Sequence, residues 1–278
     1  MANYPDFGVL LTRLLRHRGV DVAWLADASG IPETELRSVV SGTPPLAAQL
    51  DDLASALGLH AADLYVIAAI PRPEYATPRD PAVGSAIADL IHITMALPAD
   101  QRTRIQWLVD QLPQEREERP SGSPYMYDQQ EAGFGAMLAN LLCGNRNLHS
   151  LTGAAKTVAL LTEGRVYLAA STISGIGRGR VALTPDRVAG FESALGIPPG
   201  DLAAIAGVAL PEPSRPDDPL VAEMAGLLWS CRSLNASQVQ YMRDEAESML
   251  VVVPDDASEE DWNRVHHHHE KWWGAPRR

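Results

Sequence analysis

Ser55-Ala56-Leu57-Gly58-Leu59-His60-Ala61-Ala62-Asp63-Leu64 returns later in the chain as Ser193-Ala194-Leu195-Gly196-Ile197-Pro198-Pro199-Gly200-Asp201-Leu202. A repeat fixes architecture before any single element does, because each copy must fold alike. Further matches follow in the same order. Phe7-Gly8-Val9-Leu10-Leu11 pairs with Phe134-Gly135-Ala136-Met137-Leu138, and Ala69-Ile70-Pro71-Arg72-Pro73 with Ala209-Leu210-Pro211-Glu212-Pro213. Asp80-Pro81 pairs with Asp218-Pro219, and Leu97-Pro98-Ala99-Asp100-Gln101 with Leu234-Asn235-Ala236-Ser237-Gln238. The offset grows from 127 at the first match to 137–140 at the later ones, so the second copy carries about ten extra residues between Leu142 and Ser193. The copies divide the chain into 1–112, a linker 113–133 rich in Pro, Ser, Gln and charge, 134–249, and a tail 250–278.

Each copy reads as helical. Phe7, Leu10, Leu11, Leu14 and Leu15 recur at the spacing of one helical face. A short helix over 22–29 follows, ended by Gly30, and Pro32 opens the next, where its missing N–H costs nothing. Further helices are expected at 46–57, closed by Gly58, and at 61–70. Two longer ones, 81–97 and 99–112, are separated by Pro98. No two-residue alternation persists long enough for a sheet. The expected fold is therefore all-α.

A helix, a glycine-containing turn, a second short helix and a downstream Ala-Leu-Gly helix end resemble the helix-turn-helix domain of the Xre/Cro/CI repressor family. The resemblance spans about 7–70 and, less regularly, 134–208. Ser171-Thr172-Ile173-Ser174-Gly175-Ile176-Gly177-Arg178-Gly179-Arg180 is similar to that family's recognition-helix pattern, Ser-Thr-Ile-Ser-x-Ile-Glu-Arg-Gly. The resemblance implies two tandem helix-turn-helix lobes, each with a helical hairpin, and a DNA-binding transcriptional regulator. In the second lobe Ser171, Thr172 and Ser174 would meet base edges, while Arg178 and Arg180 would hold phosphates. In the first lobe the matching helix offers Thr34 and Arg37, but it begins with Glu33 and Glu35, which repel a phosphate backbone. The second lobe departs from the pattern too. Gly177 stands where the family has Glu, and the chain is longer around 145–156.

Composition sets limits around this reading. The chain has 278 residues, 46% of them hydrophobic, which suits about two folded domains. No apolar run approaches the roughly 20 residues that span a bilayer, and no basic segment precedes the first apolar stretch, so a cytoplasmic protein without membrane association is expected. Two cysteines exclude a disulfide framework. Lys156 and Lys271 are the only lysines among 23 basic residues, a bias typical of GC-rich genomes such as actinobacterial ones. The net charge of −12 opposes nucleic-acid binding at long range, yet four arginines and one acid, Asp186, lie between positions 165 and 187. The acidity keeps an alternative open: a helix-turn-helix fold that binds a protein or sequesters a regulator instead of DNA. The discriminating feature is whether the surface over 171–180 is exposed and cationic.

Other chemistry finds little footing. Thr152-Gly153-Ala154-Ala155-Lys156-Thr157 lacks the spacing of a phosphate-binding loop. Cys143 falls in an apolar stripe and reads as core. The run His266–His269 with Glu270 gives too few fixed ligands for a metal site. No catalytic set and no cofactor are expected. The hairpin stripes (Ile87, Leu90, Ile91, Met95, Ile105, Leu108 and Val109; Met224, Leu227, Leu228, Val239, Tyr241 and Met242) suit either packing on their own lobe or a homodimer or partner surface.

Overall fold

A computed structural model describes residues 4–78, 80, 83–113, 126–209 and 218–250. Among the described residues the chain is all-α, with fourteen α-helices and no strand. In the first half these are α1 (Phe7–Arg18), α2 (Val22–Ser29), α3 (Glu33–Val40), α4 (Ala47–Leu57), α5 (Ala61–Ile67), α6 (Gly84–Met95) and α7 (Ala99–Gln111). The second half contains α8 (Gln129–Ala139), α9 (Leu151–Leu161), α10 (Ala170–Gly177), α11 (Pro185–Leu195), α12 (Asp201–Ala206), α13 (Pro219–Cys231) and α14 (Ala236–Ser248). The run His266–His269 lies outside the described residues.

Local chemistry explains the boundaries. Asp6 and Asp21 cap α1 and α2 by accepting from Val9 N at 3.0 Å and Trp24 N at 2.8 Å. Gly30 ends α2 with φ +73°, as its place in the sequence predicts. Thr184 caps α11 with Pro185 in its first turn, and Asn235 forms a reciprocal capping pair with Gln238 on α14. The helix expected over 61–70 ends at Ile67, and α6 starts at Gly84 rather than near 81.

The buried core is continuous across both halves. Its contacts are reciprocal. Helix α1 packs against α12, and α5 packs against the continuation of α8; α6 lies on α14, and α7 on α13. Helix α6 therefore covers its apolar stripe mainly with α9, α13 and α14, not with helices of the first half. Ile87, Leu90, Ile91, Met95, Ile105 and Val109 are buried, as are Met224, Leu227, Leu228, Val239 and Met242. The stripes are thus largely consumed inside the chain; of their members Tyr241 is exposed, as is Trp107 beside them. Arg102 pairs with Glu223 at 3.0 Å and Lys156 with Asp89 at 2.8 Å, adding polar clasps between the halves.

Beyond Ala139 the helix widens into a π-helical segment, Asn140–Asn145. Such a bulge accommodates one extra residue in a turn. Asn140 anchors its start, accepting from Tyr127 N and donating to Tyr127 O, both at 2.9 Å. Gly144, Asn145 and Arg146 then emerge wholly buried at the junction between the halves.

Candidate functional site

Helix α10 carries the sequence-predicted site. Ile173 and Ile176 face the core, so the period of the helix turns Ser171 outward, with Thr172 and Ser174 partly covered. Arg178 and Arg180 follow the helix end, both exposed and without an ion pair among the described residues. No side chain caps α10, and no acid lies in its first turn, so the partial positive charge of its N-terminus is uncompensated. Tyr167, just before it, is 83% exposed. The structure also accounts for the glycine where the resemblance expects Glu. Gly177 is buried, and a Cβ there would lie 2.7 Å from the Tyr127 ring. A glutamate at this position would have to displace that ring.

Helix α3 differs in charge. Thr34 and Arg37 are exposed, but Arg37 is held by Glu33 one turn earlier, and Glu35 accepts from Gln49 at 2.9 Å. Its first turn holds two acids. The connection to the preceding helix is short in the first half, 30–32, and long in the second, 162–169. Set side by side, the second half is the longer one mainly before α10, with α9 also longer than α2.

A second constellation, not anticipated from sequence, lies at the junction of the halves. Arg146 forms an ion pair with Asp63, and both side chains are fully buried. Asn145 donates to the same carboxylate at 2.7 Å and accepts from Arg72. The Arg146 guanidinium also donates to the Leu195 carbonyl and lies 4.7 Å from the Trp229 ring. Arg232 sits 4.0 Å over that ring and donates to Ala76 O, while His60 stacks on it at 3.5 Å with planes 4° apart. The opposite junction is plainer: Arg18 pairs with Asp201, with His17 3.9 Å from the same carboxylate, and donates to Leu57 O. Each arginine thus stands at the end of the first long helix of one half, grips an aspartate of the other, and donates to a carbonyl in its own half. The sequence signal was the polar run Gly144-Asn145-Arg146-Asn147 inside an apolar stretch, which local periodicity cannot pair with Asp63.

Burial pushes the His60 imidazole down to about 4, with Asp63 opposing and Arg146 and Arg232 reinforcing the shift. Burial, reinforced by Arg72, takes His149 to about 4 as well. Both rings are therefore neutral at pH 7 in the folded chain. The unfolded chain binds their protons near the usual 6.5, so their contribution to stability is complete above that pH and is lost as pH falls toward 4. The melting temperature should decline over this interval, and less steeply in His60→Gln and His149→Gln. A pH profile unchanged by both substitutions would refute their part in it. Cys143 is buried with its thiol raised to about 12, and no group of three or more His, Cys, Asp or Glu among the described residues is placed to hold a metal. No helix among them is long and apolar enough to cross a membrane.

No protein-family model matches the chain, and neither a curated protein nor a solved structure shows significant similarity to it.

Proposed function

We infer that the protein is a DNA-binding regulator of helix-turn-helix type, whose halves are two copies of one plan and whose second half carries the DNA-reading helix. The observation that carries this reading is the surface of α10: an exposed hydroxyl at Ser171, an open helix N-terminus, and the unpaired Arg178 and Arg180 beyond its end. The contrast with α3 supports it, since there the acids neutralise Arg37 and the helix N-terminus. Thr172 and Ser174, being partly covered, reach base edges only at close approach. Arg178 and Arg180 bind phosphate and set affinity without sequence preference.

The test is binding to a random duplex pool and to sequences selected from it, across several salt concentrations. Replacing Arg178 and Arg180 by alanine should weaken binding to all duplexes and reduce the log–log salt slope by about 0.9 per lost phosphate contact. Thr172→Ala should instead change the selected sequence. The parallel changes at Thr34 and Arg37 should matter less. The net charge of −12 favours a second reading, in which the same fold binds a protein. Failure of the parent chain to bind duplex DNA at low salt would establish that the DNA reading is wrong and leave the second.

A further inference from the structure

The two junctions perform the same mechanical task with different chemistry. At one, Arg18 and Asp201 balance each other. At the other, Asp63 faces three guanidinium groups, Arg72, Arg146 and Arg232; Arg146 and Asn145 both engage its Oδ1, while its Oδ2 is buried without a hydrogen-bond partner. With His60 and His149 neutral, the three guanidinium groups exceed the one carboxylate by two positive charges in a largely buried place. Burial, followed by the repulsion of Arg146, lowers Arg232 to about 10. Uncompensated buried charge is costly, and holding the halves together does not require it, as the Arg18 junction shows.

The donors at this place are also under-used. Arg72 donates to Asn145 and, at 3.6 Å, to the sulfur of exposed Met126, a weak acceptor at the boundary with water. Among the described residues Arg232 donates to one carbonyl, and its guanidinium also lies over the Trp229 ring. Deeper in, the donor Arg146 Nε is buried without a hydrogen-bond partner, and the side chain is shielded from solvent. Buried polar atoms are rarely left so.

We propose that this junction binds a small free oxyanion carrying two negative charges, of the phosphate-monoester type, with Arg72 and Arg232 as its principal ligands. Two guanidinium forks match the oxygens of such a group, and its charge cancels the local excess. Because the site spans both halves, the anion ties them more tightly and acts as an effector. The site is independent of the DNA reading and is tested without DNA.

Thermal unfolding of the full chain is followed in rising inorganic phosphate, with ionic strength held constant by chloride. The melting temperature should rise to saturation with phosphate occupancy, by about 3–6 °C at tenfold excess over the dissociation constant. Arg72→Gln should abolish the saturable rise and Arg72→Lys should keep part of it. Arg16→Gln, which removes an exposed arginine elsewhere, should leave it intact. Arg232→Gln should behave as Arg72→Gln, but Arg232 packs on Trp229, so Arg72→Gln is the deciding variant. Phosphorus NMR line width of added phosphate gives a second readout for any variant that melts early. A parent chain with no saturable rise overturns the proposal. So does a rise that survives Arg72→Gln, or one lost equally in Arg16→Gln.

Discussion

Replacing Asp63 by alanine should cost about 3–5 kcal/mol, because it leaves the Arg146 guanidinium buried and unpaired. Neither side chain of the pair has any exposure, so Arg146 has no route to water without opening the junction. Asn145 loses its acceptor at the same time. For a chain of this size the melting temperature should fall by about 6–20 °C. Asp201→Ala is the internal comparison. Its partner Arg18 is 21% exposed and can turn outward, so the loss should be nearer 1.5–3 kcal/mol, the value of a hydrogen bond to a charged group. The double change Asp63→Ala with Arg146→Met should recover much of the deficit, since an apolar replacement removes the stranded charge. Urea midpoints for the four chains check this. Equal losses for Asp63→Ala and Asp201→Ala would show that the exposure difference between the junctions has no energetic meaning.

The second large effect comes from two glycines. Gly8, in the first turn of α1, and Gly135, two residues beyond the kink that Gly133 makes in α8, lie against carbonyls of α3 and α10. A Cβ on Gly8 would stand 2.3 Å from Val39 O, and one on Gly135 would stand 2.2 Å from Ile176 O. These are backbone atoms, so the facing helix must move. Alanine at either position should cost about 1–3 kcal/mol, the usual range for overpacking. Function should separate them. On the proposed DNA reading, Gly135→Ala displaces α10 and should lower affinity for a selected duplex about tenfold, the loss of one good base contact. Gly8→Ala displaces α3 and should leave that affinity nearly unchanged when compared below both melting temperatures. The reverse pattern would place the reading helix in the first half.

How far the sequence was readable depends on the range of the interaction. The helix at 22–29 and the turns at Gly30 and Gly58 follow from capping residues and glycine, which act within a few positions. The exposure of Ser171, Arg178 and Arg180 also follows, because Ile173 and Ile176 fix which side of α10 is buried. The packing of α6 on α9 and α14 did not follow. An apolar stripe states that a face is buried and says nothing of which helix buries it. The Asp63–Arg146 pair was hidden for the same reason, its members standing 83 positions apart. The partial cover over Thr172 and Ser174 depends on neighbours as well as on helical period.

The reciprocal junctions have a consequence for how such an assembly can specialise. In a pair of identical chains related by a two-fold axis, every substitution is made twice, once on each side. A charge excess introduced at one contact would appear at both, doubling the cost. Here the two sides are encoded separately, so the Arg18 junction keeps its balance while the Trp229 junction gathers arginines. The covalent tether also removes dilution as a variable: the partner half is always present at high effective concentration. Holding the halves together and differing between them are thus separable properties of one chain.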